Sequence, residues 1–220
     1  MTAPKVPQRP QLPKAREILA NEPLTLHDLD ELSAFTLNEV DLAEQRAAHL
    51  TWRGVASRQV RLTDTQFDPL YLTDVLFTGC DLANAQWERV TAQRLAFDAC
   101  QLIGFDTPDA RWQDVTFSHC RAQYAKFRFS KFKRVRFEGC DLRNADFQGS
   151  DLSGVIFHKC DLSDAQLSGT TLSGTDFRGS TIERLKVGIA ELPGAIVEPV
   201  QAAYVAGLLG VVIRNEGDEL

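Results

Sequence analysis

The sequence predicts an all-β fold in which the chain winds as a four-sided β-helix, and three observations support this. Every fifth residue from Leu62 to Val187 is apolar at 25 of 26 positions. The position two residues earlier, from Val60 to Leu185, holds Val, Thr, Cys, Ala or Ser at 22 of its 26 positions. All five cysteines are spaced 20 residues apart. A period of five fits neither an α-helix nor a flat strand, so the chain must turn at each unit, and four units complete one coil.

Like residues recur once per coil, which predicts core ladders along the axis with about 4.8 Å per rung. Thr107 is the exception to the apolar column. Phe105 occupies the small position two residues earlier, so the large and small residues are exchanged within one unit and their total side-chain volume is conserved. The cysteine ladder contains Cys80, Cys100, Cys120, Cys140 and Cys160. The phenylalanine ladder contains Phe77, Phe97, Phe117, Phe137, Phe157 and Phe177.

Three units carry a resemblance to a known family: Cys80–Asn84, Cys140–Asn144 and Ala145–Gly149. They resemble the A(D/N)LXX repeat of the pentapeptide-repeat proteins. The resemblance implies a right-handed quadrilateral β-helix, which we place at residues 60–197 with a C-terminal helix cap. It says little about function, because most members of the family have none assigned.

The N-terminal end is expected to be less regular. The five-residue phase persists weakly through residues 35–59, with Ser57 where the phenylalanine ladder would continue, and we predict an irregular first coil there. Residues 1–23 contain five of the nine prolines, so residues 1–34 are interpreted as a proline-rich flexible arm with a short helix at 14–20.

Residues 198–220 are predicted to form a C-terminal helix and tail. The helix begins with proline at its first position, Pro199, and ends before Gly210. It could cap the last coil alone, or cap it and also form a homodimer interface, as the resemblance implies for several family members. We favour a homodimer, because the apolar segment is larger than a cap needs. The candidate interface residues are Tyr204, Val205, Leu208, Leu209 and Val212.

Composition points to the cytoplasm. The odd number of cysteines predicts free thiols in a reducing compartment. Residues 1–20 lack the apolar region of a signal peptide, and the longest apolar run, residues 202–213, is too short to span a bilayer.

No motif predicts an enzyme, a metal site or a cofactor site. The cysteine ladder could be imagined as a metal site or a disulfide stack, but a linear ladder does not surround one point, and parallel Cβ vectors spoil disulfide torsion. The glycines form no phosphate loop and fall mostly at expected corners. The four histidines, His27, His49, His119 and His158, have no paired metal spacing.

The strongest candidate for a binding surface is basic. Residues 121–136 contain seven cations and no acidic residue, which would form a positive belt around one coil. In steps of 20, however, Lys126 lies between Asp106 and Asp146, and similar pairs recur. Self-neutralisation is therefore favoured over nucleic-acid binding. Arg128, Lys133 and Arg136 have no such neighbour and form the candidate interaction surface.

Two functions follow from this sequence. The first is a non-enzymatic scaffold whose flat faces bind an unidentified protein. The alternative is a mimic of duplex DNA that binds DNA gyrase or topoisomerase IV, as the resemblance implies for members linked to quinolone resistance. Residues 61–187 contain 17 acidic and 16 basic residues, so the solenoid is near neutral and the alternative is disfavoured. A mimic needs a continuous acidic stripe, for which Asp81, Asp141 and Asp161 on one column and Asp146 on the next face are the candidates.

Overall fold

A computed structural model of the protein describes residues 6–13, 16–19, 24–208 and 210–214, and all structural statements refer to these residues. Twelve strands and one helix form, in two parallel sheets of nine and three strands. The elements are β1 (Arg16–Leu19), β2 (Glu31–Ser33), β3 (Phe35–Asn38), β4 (Arg46–Ala47), β5 (Leu50–Arg58), β6 (Gln66–Phe67), β7 (Leu70–Thr78), β8 (Gln86–Trp87), β9 (Thr91–Asp98), β10 (Arg111–Ser118), β11 (Lys131–Glu138), β12 (Ile156–His158) and α1 (Pro199–Leu208).

The strands stack in the predicted register. Phe97 pairs with Phe117, and Phe117 pairs with Phe137, so each residue lies beside the residue 20 positions further along. The shorter segments follow the same rule through isolated parallel bridges, such as Asp106 to Lys126 and Lys126 to Asp146. The predicted four-sided β-helix with a C-terminal helix is therefore confirmed.

Corners recur every five residues at positions whose backbone is left-handed. In the coil of residues 120–139 the corner residues are Tyr124, Phe129, Arg134 and Gly139, with φ between 54° and 60°. These corners divide each coil into four faces, which we number by that coil: face 1 is 120–124, face 2 is 125–129, face 3 is 130–134 and face 4 is 135–139. Residues 20 positions apart share a face. Most corners are not glycine, so the stacked coils impose a conformation that L-residues seldom adopt alone.

The phenylalanine ladder fills the centre of face 4. From Phe77 to Phe177 the consecutive rings are parallel to within 12°, with centroids 4.6–5.3 Å apart. This separation matches the spacing of neighbouring strands, so the rings stack without distorting the backbone. Phe105 and Thr107 are both buried, and the Phe105 ring lies edge-on to Trp87 at 5.2 Å. The exchange of sizes in that unit therefore keeps the core filled.

The cysteine ladder lies inside face 1, with every cysteine at most 3% exposed and every thiol free. Each thiol is close to backbone carbonyl groups; Cys100 Sγ, for example, donates to the Phe77 oxygen at 3.5 Å. Contact with neighbouring thiols and burial raise the pKa of Cys80, Cys120 and Cys160. These three side chains therefore remain protonated core residues.

The N-terminal end differs from the expectation. Residues 24–34, expected within the arm, already belong to the solenoid, because β2 pairs with β5 and Leu32 is buried. The short helix predicted at 14–20 is wrong: residues 16–19 form β1, which pairs with β3 and covers the open edge of face 4. A strand satisfies the backbone groups of that edge, which a helix would leave unpaired. The Gln45 side chain holds the entering chain through two hydrogen bonds: its Oε1 accepts from the backbone N–H of Leu26, and its Nε2 donates to the carbonyl of Leu24.

The C-terminal end is closed by α1 and the segment before it. The Gln201 side chain is buried and donates to the carbonyl groups of Phe177 at 2.8 Å and Ser180 at 2.6 Å. Glu191 and Glu198 accept hydrogen bonds from the backbone of Gly169 and Gly179. These side chains satisfy groups of the last coil that no further strand can reach. No helix in the described part of the chain is long and apolar enough to cross a membrane.

Candidate interaction surface

The corners distribute the basic belt over all four faces. Arg128, Lys133 and Arg136, the three cations predicted to form one surface, lie on faces 2, 3 and 4, because the corners at Phe129 and Arg134 separate them. A single flat partner therefore cannot cover all three. The five-residue period alone could have predicted this separation, because the corners of this coil fall at every fifth residue, at positions 124, 129, 134 and 139.

Ion pairs neutralise part of the belt, as the spacing predicted. Lys126 Nζ lies 3.1 Å from Asp106 Oδ2 on the neighbouring coil. The Arg134 guanidinium makes two hydrogen bonds to the carboxylate of Asp114, whose side chain is only 2% exposed. The bond from Arg134 lowers the pKa of Asp114 against the opposing effect of burial. These pairs join adjacent coils and fix their register.

Two of the three cations expected to lack partners have acidic neighbours. Arg136 Nε lies 2.9 Å from Glu138 Oε2. This pair joins residues two positions apart on one strand, so a search in steps of 20 misses it. Arg128 lies 3.9 Å from Asp106 and 3.8 Å from Asp146, which flank it on the two neighbouring coils. Only Lys133, of the three, makes no ion pair within 4 Å in the described part of the chain.

Face 3 contains three neighbouring cations that make no ion pair within 4 Å among the described residues. Arg111 and Lys131 are neighbours across adjacent strands and, like Lys133, are exposed and make no ion pair within 4 Å among the described residues. Lys131 also neighbours Asp151, but without such a contact. Phe129 lies at the adjoining corner with 57% of its surface exposed. It lines a shallow depression of about 300 Å³ together with Arg111 and Lys131. We call Arg111, Phe129, Lys131 and Lys133 the basic-aromatic patch.

The acidic stripe that a DNA mimic requires is interrupted. The column on face 1 that contains Asp81, Asp141 and Asp161 also contains Arg61, Gln101 and Arg121, as its consecutive bridges show. In the column on face 2 that contains Asp146, Lys126 separates Asp146 from Asp106. Side-chain pairs, such as Arg143 with Asp141 at 2.6 Å, neutralise further carboxylates. Neither column offers a run of negative charge like that of a phosphate backbone.

No group of three or more His, Cys, Asp or Glu residues in the described ranges could hold a metal ion. Of the histidines, His119 Nδ1 lies 3.9 Å from Asp98, and His27 Nδ1 lies 3.6 Å from Asp30. Both are exposed surface contacts.

The candidate dimer residues divide into two groups. Tyr204 and Val205 are partly buried and pack against the core, so they serve the cap. Val212 is 74% exposed. Leu209 lies outside the described residues, and so does the side chain of Leu208.

Comparison with known proteins identifies the repeat. The family model for the pentapeptide repeat region matches residues 70–147, and the model for pentapeptide repeats matches residues 160–184. No curated protein matches the chain.

Among solved structures, full-length QnrB1, a plasmid-mediated fluoroquinolone resistance protein, is 20% identical with a TM-score of 0.48, and the match covers 89% of this chain and 100% of QnrB1. HetL, a pentapeptide repeat protein involved in heterocyst differentiation regulation in the cyanobacterium Nostoc, is 15% identical with a TM-score of 0.35. That match covers 78% of this chain and 87% of HetL.

Proposed function

Since this chain is a pentapeptide-repeat protein, we propose that it is a non-enzymatic scaffold that binds an acidic segment of another protein through the basic-aromatic patch on face 3. The observation that carries the proposal is the combination of an exposed Phe129 with three uncompensated cations, on a solenoid that otherwise pairs many of its charges. An aromatic ring beside cations offers apolar contact together with charge complementarity, a combination enriched in protein interfaces.

The patch fits a protein better than a nucleic acid. Proteins that bind duplex DNA through its backbone commonly contact about 6–10 phosphates, and each contact needs a cation or another donor. The patch supplies three cations, and the ion pairs of Lys126 and Arg134 withhold two more from the same belt. Acidic residues also border it, with Asp109 in the depression beside Phe129. An acidic protein segment needs fewer charges than a duplex and tolerates this border.

Affinity capture with charge-reversal variants tests the proposal. Tagged wild-type chain, the Lys131→Glu/Lys133→Glu variant and the Lys159→Glu/Lys186→Glu variant are incubated with a lysate of the source organism at moderate salt. The two variants change the formal charge equally, but Lys159 and Lys186 lie away from face 3. We expect one protein to be recovered by the wild type and the control variant, and at least tenfold less by the face 3 variant.

Equal recovery of every bound protein by the two variants would contradict a role for the patch. If gyrase or topoisomerase IV subunits were recovered equally by all three chains, the DNA-mimic alternative would replace this proposal. We propose that the scaffold works in the cytoplasm, and the five free thiols support this.

We also propose a homodimer formed through the C-terminal region. Val200 and Val212 are 84% and 74% exposed, and Val211 and Ile213 are also exposed, so an apolar surface remains after Tyr204 and Val205 have packed on the core. Sedimentation equilibrium should show a dimer for the wild type and a monomer for Val212→Asp, a substitution that leaves the capping contacts in place. A wild-type monomer at all concentrations would refute the dimer.

A further inference from the structure

The N-terminal arm lies along face 4 and contacts one column of corner residues at three points. The backbone N–H of Gln11 donates to Asp74 Oδ1 at 2.9 Å, and the backbone N–H of Gln8 donates to Asp114 Oδ1 at 3.2 Å. Pro13 lies against Gly54, the corner residue one coil before Asp74. Residues 6–13 form neither helix nor strand while making these contacts. The arm therefore runs along the solenoid axis, in the direction opposite to the order of the coils.

The arm and the column have matching periods. Prolines occur at residues 4, 7, 10 and 13, a spacing of three that corresponds to one turn of a polyproline II helix. Three residues of such a helix rise about 9.3 Å. Asp74 and Asp114 are separated by two coils, or about 9.6 Å at the usual strand spacing. The two N–H groups that follow Pro7 and Pro10 thus meet successive carboxylates without stretching the arm.

Arginines in the same column of corner residues fix the orientation of the two carboxylates. Arg94 makes two hydrogen bonds, each of 2.6 Å, to the Asp74 carboxylate, and Arg134 binds Asp114 in the same way. Aspartate and arginine therefore alternate along this column, and the arm meets one carboxylate acceptor every second coil. A shift of the arm by one or two residues would place its N–H groups away from both carboxylates.

Gly54 provides the space for Pro13. A Cβ atom at residue 54 would lie 2.6 Å from Pro13 Cδ and 2.9 Å from Pro13 Cγ, closer than real Cβ atoms approach. Between the arm and face 4 a groove of about 690 Å³ remains, and its face 4 side combines small or apolar residues such as Leu76 and Ala96 with three charged residues, Asp98, Arg136 and Glu138. Proline rings suit the small and apolar part of this surface, because they bury apolar area with little loss of conformational entropy.

We propose that face 4, with the carboxylates of Asp74 and Asp114, is a binding site for extended proline-rich segments that have proline at every third residue. Residues 6–13 occupy this site as an internal ligand, and a proline-rich segment of another protein competes with them. The groove lies on face 4 and the two carboxylates lie at the corner between faces 3 and 4, and the site shares no residue with the basic-aromatic patch, so either proposal can fail without the other.

A pair of glycine substitutions in the full chain tests the docking of the arm. Gly54→Ala places a methyl group against Pro13, whereas Gly79→Ala has the same φ of 60° and no neighbour closer than 3.7 Å. The readout is NMR hydrogen exchange at the amides of Gln8 and Gln11, with the β11 amides reporting that the solenoid is folded. We expect at least tenfold faster exchange in Gly54→Ala than in Gly79→Ala. Equal rates in the two variants would overturn the docking.

A peptide titration tests whether the site accepts a separate ligand. Gln8→Pro/Gln11→Pro in the full chain removes both N–H donors and leaves face 4 intact. A labelled peptide of residues 6–13 should bind this variant at least tenfold more tightly than it binds the wild-type chain. A peptide with one glycine inserted after Arg9 should bind at least tenfold more weakly than the unmodified peptide.

Equal binding of both peptides would show that proline content rather than spacing decides, and would overturn the proposal. Absence of binding to the Gln8→Pro/Gln11→Pro variant would overturn it as well. If sedimentation showed that wild-type chains exchange arms in a dimer that this variant cannot form, the occupant would be a second copy, and the internal-ligand proposal would be wrong.

Discussion

The indole N–H of Trp87 donates a 3.0 Å hydrogen bond to the hydroxyl of Thr65, a residue 22 positions earlier, inside the solenoid core. The same hydroxyl donates to the Leu62 carbonyl at 2.9 Å. Among the described residues the indole nitrogens of Trp52 and Trp112 are buried without such a partner. Thr65 therefore gives one of the three tryptophans a hydrogen-bond partner for its buried N–H group.

Thr65→Val should destabilise the fold, because it keeps the shape of the side chain but leaves the Trp87 N–H and the Leu62 carbonyl without this partner. Leaving a buried polar group unsatisfied costs about 1–3 kcal/mol. Urea denaturation measures the free energy of unfolding. Ser57→Ala is the control: the Ser57 hydroxyl is buried with no partner in the described part of the chain, so its removal should cost less than about 0.5 kcal/mol. Equal losses in the two variants would contradict this explanation.

Phe137→Ala should cost about 3–5 kcal/mol, because it removes a fully buried ring from the middle of the ladder and leaves a cavity between Phe117 and Phe157. Phe129→Ala is the matched control, because the Phe129 ring is exposed at the corner between faces 2 and 3. We expect this variant to lose less than about 1 kcal/mol of unfolding free energy. Chemical denaturation of the three chains gives both values. A Phe137→Ala variant as stable as the parent would refute the stacked core.

Docking of the arm should weaken in acid. Hydrogen bonds from Arg94 and Arg134 first, and from the arm backbone as well, lower the pKa values of Asp74 and Asp114 below the ordinary 3.8. A carboxyl group with a lowered folded pKa stabilises the folded form above its ordinary pKa, and this contribution is lost as the pH falls through the folded value. The Gln8 and Gln11 amide signals should therefore stay constant from pH 7 to about 5 and move only below pH 3.8. Movement near pH 6 would assign the docking to other groups.

The solenoid could be predicted from sequence because its periods of five and 20 are local and repeat without interruption from Leu62 to Val187. Even the exception at Thr107 followed from the volume of Phe105. The ends were harder to predict. β1 forms at the open edge of face 4, a site that exists only once the coils are stacked, so local composition suggested a helix instead.

The surface was predicted only in part. Steps of 20 found the pair of Lys126 with Asp106, but not that of Arg136 with Glu138, which lies along a strand. Docking of the arm depends on a match between proline spacing and the distance from Asp74 to Asp114. The sequence gives the three-residue spacing of the prolines and the 40-residue separation of the two aspartates. The two can be compared as distances only when the coil spacing is known.

The most direct test of the proposed function is lysine footprinting of the complex obtained by affinity capture. Free chain and complex are labelled with an amine-reactive ester, and the labelling of each lysine is quantified by mass spectrometry. Protection of Lys131 and Lys133 at least fivefold in the complex, with Lys159 and Lys186 labelled equally in both samples, is the result we predict. Unchanged labelling of Lys131 and Lys133 in the complex would show that the partner does not cover face 3, and would contradict the proposed function.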